Sequence, residues 1–346
     1  MSTPVPFQLN VPDTDLADLR ARLARTRWPD EPGPADAAPW QTGTDRTWLQ
    51  RLCTHWAGAF DWRAQEARLN AWPQYKVALH GIDLHFLHAP GRGPKPMPLL
   101  LSHGWPGSVF EFLRILPMLT DPAAHGGSAD DAFTVVAPSL PGYGLSFAPG
   151  QKRMGVPAIA GCFADLMTQV LGYPRFGAQG GDWGSSISSR LGLMHADQLI
   201  GVHLNLLMLP REPNPFPNPN DEERAYLAQL ANWVQEESGY NILQATRPQT
   251  LAYALTDSPA GLAAWIGEKF RQWSDCGGNP DAVFSADELL ANISLYWFTG
   301  AIGSSFWPYY ARLHEGWPLP VGAKVTVPMG YAQLDRKSTR LNSSHT

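Results

Sequence analysis

The chain has 346 residues, 44% of them hydrophobic, which is enough to bury a large core and suits one catalytic domain with additions rather than several modules. A net charge of -5 without basic runs excludes nucleic acid and an anionic membrane as partners and favours an uncharged or weakly charged substrate. Cys53, Cys162 and Cys276 are odd in number and far apart, which excludes a disulfide framework and points to a reducing compartment, the cytoplasm.

The opening MSTPVPFQLN carries no basic or apolar leader, and no run approaches the roughly 18 to 20 apolar residues of a membrane span. Residues 13–27 place Leu16, Leu19 and Leu23 at helical spacing opposite charged positions, predicting an amphipathic helix that docks on something larger. Trp28, Trp40, Trp48, Trp56, Trp62 and Trp72 follow among prolines, so residues 1–75 read as a segment wrapped over a scaffold. From Lys76, KVALHGIDLHFLHAP alternates about His80-Gly81 as a β-hairpin. Apolar runs at 98–102, 133–137, 175–179 and 199–207 then alternate with helical stretches at 109–119, 156–171 and 185–194. That alternation predicts an α/β core over residues 76–209, a mostly parallel sheet with helices on both faces.

PREPNPFPNPN, residues 210–220, breaks the rhythm as a stiff connector. Helical stretches at 221–238, 248–255, 260–273 and 286–298 predict a lid over residues 210–318, inserted after the sixth strand above the ends where such a sheet binds ligands. KVTVP, residues 324–328, predicts a last strand in a return to the core over residues 319–334. Beyond Leu334, DRKSTRLNSSHT offers no apolar periodicity, no further strand and no closing helix.

GGDWG, residues 180–184, stands directly after the apolar strand RFGAQ and before a helix. This is the setting of a nucleophile elbow, whose sharp turn admits only small neighbours. Its central position holds Asp182, and a carboxylate there suits displacement at a saturated carbon with formation of an alkyl-enzyme ester, as with an epoxide or an alkyl halide. The plain alternative is a glycine turn with an N-capping aspartate. HGWPG, residues 103–107, follows the strand PLLLS and favours the catalytic reading. The amides of Trp105 and Trp183 are candidates for an oxyanion hole. His103 reads as a structural turn residue rather than a base. His85 and His88 point to opposite faces of a strand, His195 and His203 flank another without a carboxylate, and neither a metal nor an organic cofactor is expected.

HGWPG, then SLPGYGLS (residues 139–146), then GGDWG, followed by a helical insertion, resembles the epoxide hydrolases of the α/β-hydrolase superfamily. PFQLNVPDTDLADLRARLARTRWPD further resembles the N-terminal segment of their microsomal and juvenile-hormone type, and the likeness runs from about Pro6 to Tyr331. The resemblance implies conversion of a small apolar epoxide and water to a vicinal diol, without nucleic acid or membrane and with a homodimer allowed. It also implies two lid tyrosines that hold and protonate the epoxide oxygen: Tyr240 in ESGYNILQATRP and Tyr309 in GSSFWPYYARLHEG, with Tyr310 as the register alternative. An acid and a histidine are expected after KVTVPMGYAQ; Asp335 comes early, Lys337 stands at the aligned position, and His345 has no context as a base.

Residues 335–346 resemble one reading frame of a sequencing-library adapter, so a truncated chain that stalls at the ester is expected, a disordered polar tail being the alternative. A haloalkane dehalogenase of the same fold and a hydrolase-fold binding protein without turnover are the competing functions.

Overall fold

The structure, a computed structural model, describes residues 2–31, 38–207, 218–315, 323–335 and 338–342. Eight strands form its main sheet: β1 (Val5–Pro6), β2 (Gln74–Leu79), β3 (Ile82–Ala89), β4 (Met97–Ser102), β5 (Phe133–Pro138), β6 (Phe176–Gly180), β7 (Leu199–Leu204) and β8 (Met329–Tyr331). Their order is β1-β2-β3-β5-β4-β6-β7-β8. The hairpin falls where the alternation places it: β2 and β3 pair antiparallel from Gln74↔Leu87 to Leu79↔Ile82. His80 at φ 52° and Gly81 at φ 81° form the left-handed pair that a two-residue turn requires. From β5 through β8 every pairing is parallel, and the central strands read as nearly continuous apolar runs because they are covered on both sides. Leu100, Val135, Val136 and Ala137 are wholly buried.

The N-terminal segment builds helices Asp13–Ala24, Arg46–Ala57 and Trp62–Asn70, the last two started by Asp45 and Asp61 accepting the amides of Trp48 and Ala64. Leu19, Leu23, Trp48, Leu52, Trp56, Trp62 and Leu69 join the one hydrophobic core. Buried Glu66 fastens the segment, accepting Val11 N–H at 2.6 Å and Trp62 Nε1–H at 2.8 Å while pairing with Arg63. The segment also contributes β1 and grips the helical insertion. Arg22 pairs with Asp257, Arg51 and Trp48 Nε1 both reach Asp281, and Trp56 Nε1 donates to Ser294.

That insertion between β7 and β8 comprises helices Asp221–Glu237, Gly239–Thr246, Pro248–Asp257, Pro259–Gln272, Ala286–Thr299, Ile302–Ser305 and Trp307–His314. Reciprocal caps, Asn220 with Glu223 and Ser285 with Glu288, fix two of its starts.

Several expectations are corrected. The insertion follows the seventh strand, because the two-residue β1 is too short to show as a run. The helix expected at 109–119 is two short turns, Val109–Phe112 and Leu116–Thr120, since Pro117 has no amide to bond back to Leu113. Helix Val156–Asp165 ends in a wider turn, with Leu171 N–H bonding to Leu166 O at 3.0 Å. KVTVP is not a strand: Val325 and Val327 pack near Gly192 on helix Trp183–Met194, and parallel pairing begins only at Met329. The tail is not free of strand either. Gln333–Asp335 and Ser338–Asn342 pair antiparallel, the second extended segment satisfying backbone groups of the first. Most of the proline-rich connector, Lys337 and His345 lie outside the described residues.

Candidate active site

Gly180 ends β6 and Trp183 starts the following helix, so the chain reverses within Gly181 and Asp182. Asp182 takes φ 49°, ψ -126°, a backbone conformation that side chains rarely adopt and that strains the turn. The flanking glycines are a steric requirement. A Cβ on Gly180 would meet the Gly184 carbonyl carbon at 2.1 Å, and one on Gly184 would meet the Ser102 oxygen at 1.9 Å.

Asp182 does not cap its own helix. Its Oδ1 instead accepts the Trp105 amide at 2.8 Å, reaching across to the HGWPG loop after β4. Burial raises its pKa, while the Trp105 and Trp183 amides pull it back down by favouring the charged form. The plain reading as a capping aspartate therefore fails on geometry.

The HGWPG loop is held from three sides. Gly107 N–H closes a turn onto Gly104 O at 3.0 Å, and the Trp105-Pro106 peptide bond is cis. Asn292 Nδ2 donates to Pro106 O at 2.6 Å and Tyr296 donates to Gly107 O at 2.8 Å, both from helix Ala286–Thr299. His103 places Nδ1 3.0 Å from Gly104 O and accepts the Leu140 amide at Nε2, 3.1 Å away. Both ring nitrogens are thus occupied by backbone, and burial lowers its pKa to about 4, so it stands as a neutral prop. Leu140 opens the LPGYG turn, whose Tyr143 packs edge-on against His103 at 5.5 Å.

The structure gathers all five residues singled out in the sequence. Tyr240, at the start of Gly239–Thr246, stacks on the Trp105 indole with centroids 5.6 Å apart and planes at 9°. Tyr309, on Trp307–His314, meets Trp183 edge-on at 4.8 Å and Tyr240 at 5.9 Å. Burial and the charge of Asp182 raise both phenols, with hydrogen bonding from Tyr309 and Asn241 opposing this at Tyr240. Tyr310 is turned away, stacked on His314 at 4.0 Å.

An apolar cavity of about 1160 Å³ opens above Asp182 and runs along one face of the sheet, past Leu101 and Leu99 to Met97 and Phe133. Sequence reasoning missed three of its polar or aromatic walls: Glu111, Lys269 and Trp273. Glu111 lines the cavity with its side chain exposed there, and desolvation by the surrounding protein together with the Asp182 charge pushes its pKa up to about 8. Its signal was its place four residues after Gly107. Lys269 and Trp273 gave none, since a helical surface stripe has the same spacing.

His203 lies within β7 on the cavity wall rather than flanking the strand. His85 bonds Ser139 and Gln74, and His88 bonds Tyr173, so both serve packing. The pairs His55–Asp287 and His80–Asp165 tie surface elements and do not line the cavity.

A strained strand-to-helix elbow at the C-terminal ends of a mostly parallel sheet, facing a loop that donates an amide, defines an α/β-hydrolase-fold protein. Comparison with known proteins agrees: a profile described as "alpha/beta hydrolase fold" matches residues 97–250, and one described as "Epoxide hydrolase N terminus" matches residues 4–112. The chain is 45% identical over 335 residues to a protein of Stigmatella aurantiaca (strain DW4/3-1) named provisionally as an epoxide hydrolase, covering 97% of this chain and 74% of the relative. It is 36% identical to "Epoxide hydrolase 1" of Oryctolagus cuniculus, covering 94% of this chain and 77% of that one. The crystal structure of juvenile hormone epoxide hydrolase from the silkworm Bombyx mori superimposes with a TM-score of 0.85 at 32% identity, covering 96% of this chain and 83% of that chain. The chain belongs to the epoxide hydrolase family, hydrolases acting on ether bonds.

Proposed function

We propose that Asp182 opens an apolar epoxide by direct attack on a ring carbon, leaving an ester on its own carboxylate. The observation that carries this reading is the Asp182 carboxylate, with one oxygen fixed by the Trp105 amide on a strained turn beneath the Tyr240 and Tyr309 pair. Fixing Oδ1 leaves Oδ2 as the attacking atom. As its bond to carbon forms, the ring C–O bond breaks, and one of the two phenols gives its proton to the departing oxygen. Phenols suit this task because their raised pKa keeps them protonated until a strongly basic alkoxide develops beside them. Water adding to Cγ of the ester would place negative charge on Oδ1, where the Trp105 and Trp183 amides stand ready, and release a vicinal diol.

Among the described residues the cavity holds no histidine paired with a carboxylate. The described residues therefore account for alkylation and the oxyanion site. The insertion between 221 and 314 acts as a lid whose Phe270, Trp273 and Phe284 face Met97, Leu99 and Leu101 of the sheet across the cavity and select an apolar substrate. Cys53, Cys162 and Cys276 are free and buried, which supports a cytoplasmic setting.

The test compares adduct formation from an aryl epoxide and from the chloroalkane of the same carbon skeleton. The epoxide should react, with Tyr240→Phe and Tyr309→Phe each slowing it by about 10²-fold or more. Equal or faster reaction of the chloroalkane, insensitive to both tyrosines, would instead indicate a dehalogenase.

A further inference from the structure

We infer that Lys269 is a positioning residue for ring opening, its ammonium set against the Tyr240 ring to favour the negative charge that forms on that phenol as its proton leaves. The inference rests on the reading of Tyr240 as a proton donor.

Lys269 lies on helix Pro259–Gln272, is only 5% exposed and lines the cavity. Its Nζ stands 4.9 Å from the centroid of the Tyr240 ring and 5.6 Å from that of Trp273, which itself meets Tyr240 edge-on at 5.0 Å. The ammonium is held by Glu268 at 2.7 Å and Glu237 at 3.8 Å. Glu237 closes one helix of the insertion and Tyr240 stands in the first turn of the next, so the charge sits where three helices meet.

A lysine this enclosed is a costly way to fill space, since a charge away from water needs partners that methionine would not. What methionine lacks is the field. When Asp182 attacks, its bond to carbon forms, the epoxide C–O bond breaks, and the Tyr240 proton moves to the freed oxygen. Electron density then rises in the Tyr240 ring, and a cation beside that ring is attracted more strongly to the phenolate than to the phenol. The interaction is thus stronger in the transition state than before it, the condition for speeding the step. The phenol is restored by a proton from the water whose hydroxide adds to the ester carbon. The two carboxylates keep the ammonium in place without removing it from the ring.

The experiment is a double-mutant cycle on the rate of covalent adduct formation, read by rapid quench and intact mass, using the parent chain, Lys269→Met, Tyr240→Phe and the pair. Lys269→Met should slow the step by about tenfold and Lys269→Arg, which keeps the charge, by no more than about threefold. In the Tyr240→Phe background the methionine substitution should change the rate by less than about twofold, because no phenolate remains to stabilise. If it slows that background as much as the parent, Lys269 acts through packing and the inference fails. If Tyr240→Phe reacts as fast as the parent, it is the reading of Tyr240 that falls, a separate result. Lys269→Gln is read in the same way should the unfolding midpoint of Lys269→Met drop.

Discussion

Gly104→Ala puts the site geometry under direct strain. A methyl carbon on Gly104 would lie 2.3 Å from Asp182 Oδ1 and 2.4 Å from its Cβ, so the two must separate by about 1 Å to reach ordinary contact. Gly104 does not have positive φ, so the substitution is steric rather than conformational. The carboxylate cannot swing away freely, because the same Oδ1 is held by the Trp105 amide at 2.8 Å. Either that bond breaks or the loop recoils from the elbow. Losing one such donor, or misplacing the nucleophile by about 1 Å, lowers the rate by roughly 10² to 10³. The folding cost of the crowding is about 1–3 kcal/mol. Gly161→Ala is the control: it lies in helix Val156–Asp165 with nothing within 4 Å of the new methyl, and should gain about 0.5–1 kcal/mol without touching the rate. Adduct formation by Gly104→Ala within threefold of the parent would refute the proposed contact between loop and elbow.

Other substitutions probe separate links. Glu66→Ala removes the buried acceptor shared by Val11, Trp62 and Arg63 and should lower stability by about 3–5 kcal/mol in denaturant melts; a loss below 1 kcal/mol would show that the N-terminal segment is held otherwise. Tyr310→Phe should leave adduct formation unchanged while Tyr309→Phe slows it, since only Tyr309 packs against Trp183 and Tyr240; the reverse pattern would shift the register by one. Glu111 gives a pH signature. Its carboxyl keeps a proton up to about pH 8 when folded but loses it near 4.5 when unfolded, so in this window the folded chain binds more protons and the unfolding free energy falls as pH rises. Glu111→Gln lacks that titration, so its unfolding midpoint should gain on the parent's from about pH 5 to about pH 8; parallel curves would mean that Glu111 is solvated.

The elbow and its facing loop were legible in the sequence because their requirements are local. Gly180 and Gly184 have no room for a side chain, so short motifs record the constraint directly. The central strands were legible for a similar reason, as burial on both faces writes itself as apolar runs. Tyr240 and Tyr309 came only through the resemblance, since their partner across the lid is about 70 residues distant in sequence and no periodicity marks it. Lys269 was invisible because its meaning arises only where three helices converge. KVTVP misled in an instructive way. Its valines alternate as a strand's would, but Val327 is only half-buried and Val325 exposed beside a helix, and the ladder starts one residue beyond Pro328.

The most direct test of the account is to quench the chain with an aryl epoxide, digest it, and map the modified peptide in the parent and in Asp182→Asn. The account predicts one substrate mass on the Asp182 side chain of the parent and none in the asparagine variant. An adduct that persists in Asp182→Asn, or one on any other residue of a folded parent, would contradict it.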